Sequence, residues 1–129
     1  MWSDRYYYLN IYKDKSLSDD VSTSELSAFI TSFPQLEQRE AFNFRNTESF
    51  PFTSIWLLKA RSINSYNSND TNIEKTNLIT IVCAKGEDID FSVLESVFVQ
   101  IASYLNWSLV DEETDDGIED YIIWAPEKT

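Results

Sequence analysis

With 129 residues, 43% hydrophobic and 15% aromatic, the chain is sized for one domain over 1–129 with its own core, which excludes a disordered acidic tail. Cys83 is the only cysteine and histidine is absent, so an internal disulfide, a thiolate zinc cluster, a His ligand and imidazole catalysis are all excluded. The net charge of −12 repels phosphates and argues against nucleic-acid binding.

Residues 6–12 open the chain with strand formers, Tyr7, Leu9 and Ile11 on an inward face and Tyr6, Tyr8, Asn10 and Tyr12 on the other. Residues 13–20 form a polar connection. Ser22, Thr23, Ser24 and Glu25 then make a capping box, in which the Ser22 hydroxyl takes an early helix amide and Glu25 reaches back. Leu26, Phe29, Ile30 and Phe33 follow at i, i+3, i+4 and i+7, the spacing of one apolar helix stripe, so a helix is expected over 22–33. Pro34 disfavours helical geometry at Phe33 and ends it.

Residues 41–44 alternate Phe42 and Phe44 and suggest a short edge strand. Residues 54–60 are apolar on both faces and suggest a central strand. Residues 62–77, rich in Asn and Ser, suggest a long polar hairpin loop, mobile at its tip. A second central strand follows over 78–84. Ser92, Val93, Leu94 and Glu95 have the form of a second capping box, and Leu94, Val97, Phe98, Ile101 and Leu105 continue a stripe, giving a helix over 92–105. Residues 107–110 and 121–124 suggest two strands of a hairpin, with Asp116-Gly117 as a turn between them. Sequential neighbours tend to pair. The expected fold is α+β: a mixed, mainly antiparallel sheet with both helices on one face, ferredoxin-like or a related split βαβ arrangement.

The charge is unevenly placed. Residues 86–129 carry twelve acids and one base, and residues 111–120 alone carry seven carboxylates. A calcium loop is a poor fit. With Gly117 at the sixth position of an EF-hand loop, Ile123 falls where the bidentate Glu is required. Paired carboxylates for glycoside or magnesium-dependent chemistry need rigid elements around a cleft, and these crowd one stretch. Without histidine, Cys83 in a central strand has no activating base and is expected to be a small core residue. No enzyme, no cofactor and no metal are expected. A solvated, solubilising face is the simplest reading of such a charge run.

The favoured reading is a recognition surface for a basic protein, since acidic patches speed encounter with cationic partners. The expected contact residues are Asp111, Glu112, Glu113, Asp115, Asp116, Glu119 and Asp120, with Trp124 as an aromatic anchor. Trp107 and Tyr121 also flank the stretch. The longest apolar runs fall far short of the ~20 residues that cross a bilayer. No basic region with an apolar segment opens the chain, so a cytoplasmic location is the default expectation.

A small acidic α+β chain with no catalytic constellation resembles the immunity proteins that neutralise bacterial toxins. The resemblance lies in the whole-chain pattern and in the stretch 111–120. It implies tight binding to one cognate basic toxin, often a nuclease, in the cytosol. Two other classes stand beside it: a DNA-mimic inhibitor, whose acids would be spaced along an extended face, and a metal-binding acidic module.

Overall fold

A computed structural model of the chain describes residues 5–48, 50–60, 74–86 and 89–126. The elements are β1 (Tyr6–Tyr12), β2 (Val21–Ser22), α1 (Thr23–Thr31), β3 (Leu36–Glu40), β4 (Asn43–Asn46), β5 (Thr53–Leu58), β6 (Lys75–Thr76), β7 (Leu78–Ala84), α2 (Phe91–Leu105), β8 (Ser108–Glu113) and β9 (Glu119–Trp124). Seven strands form one sheet in the order β3-β4-β5-β7-β1-β8-β9, and β2 pairs with β6 in a short separate ribbon. The α+β class, the antiparallel sheet and the two helices are those expected. The sheet is wider and more uniform than a split βαβ unit, because every strand pair is antiparallel. No helix is long and apolar enough to cross a membrane among the described residues.

Register explains the layers. Leu9 lies opposite Ile81 and Ile81 opposite Ile55, while Ile11 lies opposite Ile79 and Ile79 opposite Leu57. Paired residues point to the same side of a sheet, so one face carries a continuous aliphatic surface. Both helices pack there: Leu26 and Ile30 from α1, and Leu94, Val97, Phe98, Ile101, Ala102 and Leu105 from α2, are all buried in the same cluster. Phe29 and Phe33 of the first stripe are only partly buried. Phe29 stacks on Tyr104 of α2 at 3.9 Å, which joins the two helices. The opposite face holds a smaller cluster of Tyr12, Leu58, Leu78 and Val110, closed by Leu17 and Ala60, with Trp56 half-buried against it.

The start of α1 is the one expected. Ser22 caps it and its hydroxyl accepts from the Glu25 amide at 3.3 Å. The second capping box is not used. Asp90, two residues earlier than Ser92, caps α2, accepting from the Ser92 amide at 3.0 Å and from its hydroxyl at 2.6 Å. A carboxylate is the stronger acceptor for a helix amide and carries favourable charge at the positive end of the dipole. The edge strand expected at 41–44 also moves. β4 is an inner strand with Phe44 fully buried, and the edge is β3, whose polar sequence Leu36–Glu40 hides its pairing. Most of the expected loop over 62–77 lies outside the described residues. Its end forms β6, whose Thr76 hydroxyl meets that of Thr23 at 2.8 Å beneath the start of α1.

Candidate functional site

The acidic stretch is less a loop than a pair of strand ends. Leu109 and Val110 are fully buried and anchor β8 beside β1, and the strand then runs on through Asp111, Glu112 and Glu113. Backbone pairing carries these carboxylates into the sheet despite their low strand propensity, a case of packing overriding local preference. The turn is confined to residues 114–117. The Gly117 amide donates to the Thr114 carbonyl at 2.9 Å, and the Thr114 hydroxyl accepts from the Ile118 amide at 3.1 Å. Gly117 has φ of 80°, the left-handed region that glycine adopts without strain.

The eight residues expected to form the contact surface fall into different environments. Asp111 lies opposite Leu9 on the helix-facing side and is only 8% exposed, so it is withdrawn from the surface. Burial pushes its carboxyl above the ordinary range, opposed by a 3.1 Å hydrogen bond from the Glu113 amide and by the Lys85 ammonium. Asp115 pairs with Lys85, whose largely buried ammonium also sits 5.1 Å from the centre of the Tyr7 ring. Asp120 pairs with Lys15 at 3.1 Å. Glu112 is half-buried.

Glu113, Asp116 and Glu119 are in a different state. Glu113 and Glu119 lie directly opposite each other across the hairpin, a cross-strand pair of like charges. Directly opposed side chains have Cβ atoms about 4.5–5.5 Å apart, and equal charges there are destabilising. Asp116 is exposed at the turn. Among the described residues no cation is paired with any of the three.

Trp124 is half-buried and packs against the main core, and Trp107 is 1% exposed, with its indole N–H donating to Asp19 at 3.2 Å. The exposed apolar groups are others: Ile118 at 51%, Tyr121 at 50% and Ile122 at 56%. Tyr121 lies opposite Asp111 and Ile122 opposite Val110, so one side chain stands on each face of β9. A pointer to them was present in the sequence. Ile118, Tyr121 and Ile122 stand beside Asp116, Glu119 and Asp120 in the chain, and carboxylates are almost never fully buried, so their neighbours stay near solvent.

Comparison with protein-family models, with curated proteins and with solved structures found no match.

The other reactive groups of this region are held in structural roles. Cys83 is fully buried, and desolvation, with the nearby Asp111 charge, pushes its thiol up to about 12. Burial also raises the Tyr7 phenol, against the pull of Lys85. No group of three or more Cys, Asp or Glu side chains placed to hold a metal ion occurs among the described residues. The hairpin is therefore equipped for contact: uncompensated carboxylates on its tip, and apolar side chains on both faces of its outer strand.

Proposed function

We propose that this protein is a binding protein that captures a basic protein partner on the β8–β9 hairpin, and that it acts as an immunity protein, neutralising a cognate toxin in the cytosol. The observation that carries the reading is the Glu113–Glu119 pair with Asp116 beside it, uncompensated and flanked by exposed Ile118, Tyr121 and Ile122. Facing like charges weaken the free hairpin, and a Lys or Arg from a partner would relieve them. Interfaces favour an aromatic anchor inside a polar rim, and Tyr121 among these carboxylates has that setting. A DNA mimic would keep its carboxylates available along the face, whereas Lys85 and Lys15 already neutralise two of them.

The test takes as candidate partner the product of any toxin gene found adjacent to this one. Glu113→Gln, Asp116→Asn and Glu119→Gln are combined in one variant, and association is followed at several salt concentrations. The expected result is a slower on-rate in the variant and a flatter salt dependence than in the parent, with the fold unchanged. Equal rates and equal salt dependence would reject the hairpin as the contact surface. A neighbouring toxin that retains full activity in the presence of the protein would reject neutralisation.

A further inference from the structure

The sheet has two outer strands, and they are built differently. β3 carries exposed Glu37, Gln38, Arg39 and Glu40, an ion pair between Arg39 and Glu37 at 2.8 Å, and a register shift between Gln38 and Glu40. Charge and irregularity are the usual means of keeping another strand from pairing with an edge. β9 also has charge and irregularity, in Glu119, in Asp120 at φ 52° and in a register shift against β8 between Leu109 and Val110, but it adds exposed apolar side chains that β3 lacks. The outer side of β9 pairs with no strand among the described residues, and Tyr121 and Ile122 stand about half exposed on its opposite faces. An edge strand presents a row of unpaired amides and carbonyls, which is a template for a further strand.

We propose that the open edge of β9 accepts an extended, basic segment of the partner protein as an additional strand. This rests on the capture of a basic partner proposed above and states its geometry. Glu119 and Tyr121 fall on the helix-facing side by register, and Ile122 falls on the other. The segment that fits therefore places a Lys or Arg beside Glu119 and apolar side chains beside Tyr121 and Ile122, while its backbone takes up the free hydrogen-bonding groups of β9. A second copy of this chain is the poorer occupant. It carries the same net charge of −12, concentrated in the same hairpin, and edge-to-edge pairing would bring two acidic hairpins together.

The probe is a synthetic peptide alternating lysine with valine, compared with a twin N-methylated at every backbone amide. The twin keeps the charge and side chains but cannot donate to an edge strand. Binding is measured at low salt, with amide exchange followed across the protein. The expected result is binding of the first peptide, new protection of β9 amides with β3 unchanged, and about tenfold or greater weakening for the N-methylated twin, the effect of losing a few backbone hydrogen bonds. Ile122→Lys, an exposed site that does not disturb the core, should weaken the first peptide similarly. Equal binding by both peptides would overturn strand addition and leave charge-based capture standing. Failure of both peptides to bind would overturn both. A concentration-dependent dimer of the protein that disappears in Ile122→Lys would give the edge to a second copy and overturn the basic-segment assignment.

Discussion

Burial holds the Asp111 carboxyl above its ordinary range, so the folded protein binds that proton more tightly than the unfolded chain does. The stabilising effect of the proton is fully present below the unfolded value and is lost as pH rises through the folded one. At neutral pH an ionised Asp111 therefore works against the fold. Asp111→Asn keeps an oxygen for the Glu113 amide and removes the charge. Its melting temperature should exceed the parent's at pH 7, and the gain should vanish once the pH falls below the carboxylate range; thermal unfolding across pH checks this. Asp14 has the opposite sign. Hydrogen bonds from Ser18 and Ser16 hold its carboxyl down at about 2, so its contribution is present above pH ~4 and lost as pH falls toward 2. Cys83, buried and with its thiol at about 12, should resist iodoacetamide at pH 8 until denaturant unfolds the sheet. Rapid alkylation of the native protein would show that β7 opens locally.

At the scale of elements, α2 is the larger stabiliser. Phe98 and Leu94 are fully buried between this helix and the sheet, so Phe98→Ala should cost about 3–5 kcal/mol and Leu94→Ala about 2–5 kcal/mol in chemical denaturation. The helices were legible because their apolar stripes repeat over about two turns in α1 and three in α2, and β7 because its aliphatic run fills a central strand. Less legible were the elements whose pairing is decided elsewhere in the chain. β3 has one buried apolar residue, Leu36, and exists because β4 lies beside it. β6 is two residues long and is fixed by Thr23 and Val21 far upstream. The acidic stretch was visible in the sequence from its charge alone. Its division into buried, paired and uncompensated carboxylates was not, because Lys85 and Lys15 come from distant parts of the chain. Simple alternation puts Trp124 and Tyr121 on opposite faces, but a register shift between Leu109 and Val110 brings both to the helix-facing side, where Trp124 packs on the core and Tyr121 stays exposed.

For the whole molecule, the excess of acid sets how stability responds to salt. The Debye length falls from about 30 Å at 0.01 M to about 10 Å at 0.1 M, so added NaCl screens repulsion across the hairpin and between it and the rest of the acidic half. The melting temperature should rise over this range. A fall would mean that the ion pairs Lys59–Asp20, Lys15–Asp120 and Lys85–Asp115 outweigh the repulsion.

The position of β1 bears on how the chain is made. β1 sits between β7 and β8, and among the described residues it pairs with no other strand. At an elongation rate of about 5–20 residues per second, roughly 3–13 s separate the end of β1 from the first residue of β7. Through that interval Leu9 and Ile11 lack both strands that flank them in the finished sheet. The nascent chain must therefore be shielded or stay soluble on its own charge, and the acidic stretch 111–120 that would help most is made only after β7. β1 can enter the sheet only once β7 and β8 have been made, so a translation stop before them is more damaging here than in a fold whose strand finds its partner in the next hairpin.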